Sequence, residues 1–152
     1  MIRAIAAIDD ARAIAKNGSI PWNIPEDTAY YKQKTNGHTV VMGRATYELF
    51  ANPLPNRRNI VISDSLDNVR VGFEHMSLQQ AIALPGDIWI VGGAGLYASA
   101  LQYCEELYIT HVQGDFGGDR FFPEFEQEFS LREQSKIHRQ NDHLFTYCIY
   151  VR

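Results

Sequence analysis

The chain has 152 residues, of which 45% are hydrophobic and 21% charged, with 11 Gly and 6 Pro; this composition excludes disorder and fibrous repeats and suits one folded domain. Fourteen Lys and Arg against eighteen Asp and Glu give a net charge of −4 without a basic run able to follow a phosphate backbone, so no nucleic-acid partner is expected. Apolar runs fall far short of the roughly 20 residues that span a bilayer, and no charged segment precedes a long apolar one, so no membrane partner is expected and the expected location is the cytoplasm.

Residues 1–8 form a compact apolar run, and 40–42, 59–63, 88–91 and 107–112 repeat the pattern. They read as buried strands. Helix-length segments lie between them at 25–36, 44–50, 77–84 and 95–102, several opened by Pro, Ser or Gly. The alternation predicts a mainly parallel sheet with helices on both faces, while 130–137 and 143–151, with no helix between them, predict an antiparallel hairpin at the end. Three long loops, 9–22, 51–58 and 113–123, stand out as carriers of function. Asn17-Gly18-Ser19 reads as a turn. Cys104 and Cys148 form no Cys-x-x-Cys pair and read as reduced, packed thiols.

Pro25 fits a first helical position, which puts Glu26 and Asp27 in the first turn, where the plain reading of an acid is compensation of the helix dipole. Ile24, Asp27, Thr28 and Tyr31 nevertheless stand at i, i+3, i+4 and i+7, so Asp27 shares a face with apolar and aromatic side chains. A carboxylate there needs a polar partner, and a ligand with paired N–H donors would be one. Val40-Val41-Met42-Gly43-Arg44 and Ile90-Val91-Gly92-Gly93-Ala94-Gly95 each run from strand through Gly into helix. Such junctions are either tight turns or phosphate sites, and two in one chain suit a ligand with more than one phosphate. They match neither G-x-G-x-x-G nor a P-loop. Arg57 and Arg58 follow a stiff Pro53-Leu54-Pro55 turn and are either solvated or a bidentate grip on a carboxylate. The five His lack metal-ligand spacing, and no nucleophile–His–acid motif supports hydrolysis.

Taken in order, Ala6-Ala7, Ile14, Ile20-Pro21-Trp22-Asn23-Ile24-Pro25 with Asp27, Val41-Met42-Gly43-Arg44 with Thr46, and Pro53-Leu54-Pro55 with Arg57 resemble the dihydrofolate reductase family. Ser63, Gly92-Gly93-Ala94 with Tyr97, Leu107-Tyr108-Ile109-Thr110-His111, Gly118-Asp119 and Phe122-Pro123 carry the resemblance across residues 2–151. It implies a single α/β domain over residues 1–152 with a mainly parallel central sheet of about eight strands, about four helices and an antiparallel C-terminal hairpin.

The resemblance also implies that NADPH delivers a hydride to C6 of dihydrofolate while a proton reaches N5. Asp27 would pair with N3 and the 2-amino group of the pterin, Thr110 would support it, Trp22 would order a water nearby, and Tyr97 would complete the catalytic set. Ile5, Ala6, Thr28, Tyr31, Lys32, Phe50, Leu54 and Val91 would line the substrate site, and Arg57, held by Thr35, would grip the glutamate α-carboxylate. Gly43, Arg44, Ala45, Thr46, Ser63 and Asp64 would surround the adenosine-side phosphates, with Gly92, Gly93, Ala94, Gly95, Leu96 and Tyr97 around the pyrophosphate and nicotinamide. Ala7 and Ile14 would flank the carboxamide, Ile20 would also contact the cofactor, no metal is implied, and the Gly92–Gly93 peptide would be cis. Implied partners are dihydrofolate and antifolate inhibitors, acting on a monomer. Ala15, Thr28, Arg120 and Asp64 depart from the family pattern, Asp64 by placing an anion beside the expected 2′-phosphate site. A reductase of the same fold acting on a ribosylated pyrimidine phosphate would lack the carboxylate at Asp27 and the Trp-Asn-x-Pro segment. A non-catalytic dinucleotide-binding module would have no use for Asp27 and Arg57 together.

Overall fold

A computed structural model describes residues 1–63 and 68–152. The elements run β1 (Ile2–Ile8), β2 (Ala13–Ala15), α1 (Pro25–Thr35), β3 (Thr39–Gly43), α2 (Arg44–Leu49), β4 (Arg58–Ile62), β5 (Phe73–Met76), α3 (Leu78–Ile82), β6 (Ile88–Ile90), α4 (Ala94–Ala100), a 3₁₀ turn (Leu101–Tyr103), β7 (Glu106–Val112), β8 (Arg120–Phe121), β9 (Ser130–Gln134), β10 (His138–Gln140) and β11 (His143–Val151). The main sheet has the order β10-β11-β7-β1-β6-β3-β4-β5, with β9 also pairing β11. Every pairing from β7 to β5 is parallel, and those of β11 with β7, β9 and β10 are antiparallel.

Local chemistry accounts for the helices. Pro25 opens α1, acids occupy its first turn, and Lys32 and Lys34 its last. Ser77 caps α3 in a reciprocal box with Gln80: the Ser77 hydroxyl accepts from the Gln80 amide at 3.2 Å and the Gln80 side chain accepts from the Ser77 amide at 3.0 Å. The central strands are buried on both faces. Val40 and Met42 pack on the side that holds Tyr47, Leu54, Trp89, Tyr30 and Tyr31, whereas Val41 packs with Ala81, Leu96, Tyr97 and Ala100 on the other. α1 and α2 therefore cover one face, and α3 and α4 the other.

The ends of the sheet differ from the sequence reading. β5, β2, β8 and β10 were not anticipated: β5 is an edge strand whose Glu74 and His75 are exposed, and the other three are only two or three residues long. The antiparallel hairpin expected of 130–137 and 143–151 is present, with its first strand broken into β9 and β10, both paired with β11. The turn to β11 is at Asn141 and Asp142, both left-handed (φ 50° and 63°), and pairs β11 with β10. Between β9 and β10, Ser135 keeps the ladder closed by accepting the Tyr147 amide on its hydroxyl at 2.9 Å and donating its own amide to the Tyr147 carbonyl at 2.9 Å. Among the described residues no helix is long and apolar enough to cross a membrane.

Candidate active site

The adjacent parallel strands β3 and β6 feed α2 on one face of the sheet and α4 on the other. The chain thus opens a crevice at their carboxyl ends, the place where open α/β sheets bind ligands. β1, on the other side of β6, ends there too and leads into the 9–22 loop.

Asp27 enters this crevice from the first turn of α1. The Thr110 hydroxyl, on β7, donates to Asp27 Oδ1 at 2.7 Å, and Thr110 is 2% exposed. Burial pushes the Asp27 carboxyl above the usual carboxylate range; the Thr110 hydrogen bond pulls it back, and the charge of Glu26 pushes it further up. An apolar wall surrounds it. Ile5, Leu54, Tyr31, Phe50 and Val91 belong to one cluster, and Trp22, Ile24, Ala7 and Val112 to a neighbouring one. The Tyr31 phenol is pushed up to about 12 by burial. Trp22 is 7% exposed and meets Phe116 in a T-shaped pair with ring centres 5.4 Å apart. Ala6 lies on the opposite side of β1, in the α4-side cluster, so only its main chain can face the wall. Thr28 is exposed one turn along α1.

At the outer end of that wall a groove of about 450 Å³ is lined by Lys32, Gln33, Leu54, Pro55 and Arg57, among others. Arg57 donates from Nε to the Thr35 hydroxyl at 3.0 Å, and from its two terminal nitrogens to the Pro55 and Lys32 carbonyls at 2.5 Å each. Three of its five N–H groups are thereby spent on the fold, and the remaining two can meet a planar anion. Asn59, which sequence reading passed over, holds the Pro-rich turn from beneath. It is 2% exposed, accepts the Leu54 amide and donates to the Leu54 carbonyl, each at 3.0 Å. Arg58 takes the solvated alternative, in an exposed pair with Glu74 at 2.6 Å.

Across the crevice the two Gly junctions meet. The Gly43 amide donates to the Gly92 carbonyl at 2.7 Å, and the Gly92–Gly93 peptide is cis, as the resemblance implied. A Cβ on Gly92 (φ 116°) would stand 3.3 Å from the Thr46 hydroxyl and 3.4 Å from that of Tyr97, whereas one on Gly95 would meet nothing within 4 Å. The junction is a cradle of bare backbone, open outward and closed behind by Thr46 and Tyr97. The buried Tyr97 hydroxyl donates to the Ile5 carbonyl at 2.6 Å, linking the cradle to the apolar wall, and burial pushes the phenol far above its ordinary range. Ala94 opens α4 at the cradle, while the Leu96 side chain turns into the α4-side core. Arg44 stands exposed at the start of α2 beside Ala45, with Glu48 2.9 Å from its Nε. The Ser63 carbonyl meets the His75 ring. Ile14 is half-buried, and Ile20 is 64% exposed on the 9–22 loop. Asp64 lies outside the described residues.

Asp9 was not singled out by sequence reading. It is 2% exposed, and its carboxylate accepts the amides of Ala11 (2.9 Å), Ala13 (2.8 Å) and Phe116 (3.0 Å), which ties 9–22 to 113–123. An acid just after a buried strand, opening a turn, was the signal available.

A carboxylate bonded to a buried hydroxyl beside a cradle of bare backbone, at the carboxyl ends of parallel strands, is the geometry of an α/β protein that binds its ligands in this crevice. The sequence profile of the family described as dihydrofolate reductase matches residues 1–152. The chain is 36% identical over 157 residues to the dihydrofolate reductase of Bacillus subtilis (strain 168), covering 99% of this chain and 94% of that one. It is 36% identical over 151 residues to that of Staphylococcus aureus (strain Mu50 / ATCC 700699), covering 95% of each. The structure of dihydrofolate reductase from Enterococcus faecalis complexed with NADP(H) and RAB-propyl superposes with a TM-score of 0.89 at 31% identity, over 99% of this chain and 95% of that one. The chain belongs to the dihydrofolate reductase family. Its reaction is the reduction of dihydrofolate to tetrahydrofolate.

Proposed function

We propose that the chain works as a single-domain, cytoplasmic monomer that reduces 7,8-dihydrofolate with NADPH, and that the residues of the cleft divide the work as follows. The observation that carries the reading is the bond of the buried Thr110 hydroxyl to Asp27 at 2.7 Å, in a sheet whose neighbouring strands end at the Gly92–Gly93 cradle. Asp27 accepts N–H donors of the pterin and polarises the ring, with Thr110 fixing the carboxylate's rotamer. Trp22 orders the water that carries the proton to N5. Ile5, Tyr31, Phe50, Leu54 and Val91 enclose the flat rings and exclude bulk water, which strengthens the field of Asp27 at the ring. Thr28 and Lys32 flank the benzoyl-glutamate, and the two unspent N–H groups of Arg57 take its α-carboxylate.

The cradle fits a dinucleotide, because Gly92, Gly93 and Gly95 let phosphate oxygens reach main-chain amides and Arg44 and Thr46 add charge and a hydroxyl. When bound there, NADPH supplies the hydride to C6. Gly43, Ala45 and Ser63 line the adenosine side, while Ala7, Ile14 and Ile20 hold the carboxamide end and Tyr97 closes the cradle from behind. The test is dihydrofolate-dependent oxidation of NADPH by the purified chain. Turnover of a ribosylated aminopyrimidine phosphate in place of dihydrofolate, or binding of NADPH with no turnover of either, would overturn the reading.

A further inference from the structure

The residue before the proposed pterin anchor has a set of contacts that dipole compensation does not require. Tyr147 on β11 donates its hydroxyl proton to Glu26 Oε2 at 2.7 Å, and His138 Nδ1 on β10 stands 3.1 Å from the same oxygen. The Glu26 amide donates to the Gln140 side chain at 2.7 Å. Tyr147 stacks on Tyr30 of α1, with ring centres 4.1 Å apart, and the His138 ring lies 5.1 Å from it.

The register gives these contacts their meaning. Tyr147 pairs directly with Thr110 across β7 and β11, so the two side chains project from the same face as neighbours. Thr110 binds Asp27 and Tyr147 binds Glu26. Two successive carboxylates of α1 are thus held from the two ends of one rung of the β7–β11 pair, which fixes where their charges stand.

We propose that Glu26 is a positioning residue for the reduction: clamped by Tyr147 and His138 on the rung that also holds Asp27, its carboxylate sets a fixed negative charge beside the pterin anchor and so extends turnover toward alkaline pH. The inference rests on the reading of Asp27 as the pterin anchor. Among the described residues, the ionisable groups facing Glu26 are Asp27 and Tyr30 on α1, His138 on β10 and Tyr147 on β11, with Lys34 a turn further along α1 over Tyr30. The sign follows from charge alone. An anion beside Asp27 favours the protonated form of the Asp27–pterin pair. The reduction takes up one proton at N5, so its rate falls as pH rises through the ionisation of the Asp27–pterin pair.

The test is single-turnover hydride transfer across the pH range for wild type, Glu26→Gln, Glu26→Asp and Asp27→Asn. Glu26→Gln keeps an acceptor for Tyr147 and removes the charge. It should leave the acid plateau intact, move the falling limb to lower pH and slow alkaline turnover roughly two- to threefold. High salt should shrink the gap, and Glu26→Asp, which restores the charge, should recover most of the loss. Superimposable profiles for wild type and Glu26→Gln would overturn the proposal and leave Glu26 a fastener that melting temperature alone detects. If Asp27→Asn itself keeps the wild-type profile, the anchor reading falls first and the role of Glu26 falls with it.

Discussion

Replacing Thr110 by valine removes one hydroxyl and nearly nothing else. The site is 2% exposed, and valine has the shape of threonine, so no cavity opens and the strand propensity is kept. What disappears is a 2.7 Å hydrogen bond to a carboxylate. Bonds to charged groups contribute about 1.5–3 kcal/mol net. Asp27 is half-buried and water can replace part of the loss, so the lower end applies: about 1.5–2 kcal/mol, or roughly 10- to 30-fold in kcat/KM for dihydrofolate. The bond is also what pulls the Asp27 carboxyl back toward its ordinary range, so without it the carboxyl holds its proton to higher pH and the falling limb of the rate profile moves to the alkaline side. That shift is opposite to the one expected for Glu26→Gln. Stopped-flow hydride transfer against pH, with the same substitution repeated in an Asp27→Asn background, separates a role through Asp27 from any other. A loss below twofold with an unmoved profile, or the same loss with and without the carboxylate, would refute the reasoning.

Asp27→Asn should cut kcat/KM for dihydrofolate by about a hundredfold or more. It should also stabilise the ligand-free protein at neutral pH: the raised proton affinity means that the folded state holds a proton the unfolded chain releases, so wild-type stability falls as pH rises above the unfolded value, and urea melts of the two proteins should converge in acid. Arg57→Lys cannot reproduce three carbonyl and hydroxyl contacts while keeping a fork free, so KM for dihydrofolate should rise about tenfold with kcat within about twofold. Gly92→Ala places a Cβ at φ 116°, 3.3 Å from the Thr46 hydroxyl. Chemical denaturation should show a loss of about 1–3 kcal/mol, and titration should show weaker NADPH binding. Glu106, 8% exposed at its side chain, would be raised by burial, but hydrogen bonds from Arg3 and Arg132 at 2.7 Å outweigh that and hold it below the ordinary range. Its contribution to stability is therefore present above the unfolded carboxyl value and lost as pH falls through the folded one, and Glu106→Gln should flatten that acid limb in a series of thermal melts.

The parallel half of the sheet was legible because each of its strands is buried on both faces and so reads as an uninterrupted apolar run, as at Val40-Val41-Met42, where all three residues are 0% exposed. β5 and β10 were not legible for the converse reason. Phe73-Glu74-His75-Met76 and His138-Arg139-Gln140 sit at sheet edges, where only one side of the strand is paired and solvent tolerates charge. The antiparallel hairpin at the chain's end was legible, but not the break that splits its first strand into β9 and β10, since the Ser135 hydroxyl stands in for a ladder group there and such substitutions leave no periodic trace.

In the site, spacing exposed Asp27 because an acid on the apolar face of a helix is a contradiction that only a partner resolves, and Thr110 is part of that resolution. Arg57 and Arg58 show the limit of the same reasoning. Both follow the same stiff turn and both are guanidinium groups; what separates them is strand alternation, which sends Arg57 toward Thr35 and the Lys32 carbonyl and Arg58 toward Glu74. Local sequence carries no record of Glu74 being opposite, because β5 arrives from another part of the chain. The same holds for Glu26, whose partners Tyr147 and His138 lie more than a hundred residues away and are brought together only by the pairing of β11 with β7 and β10. Residues whose conflict with their surroundings is local announce themselves in sequence. Residues whose partners come from distant strands become visible only once the sheet order is known, and for Glu26 that order sets a second charge at a fixed place beside the first.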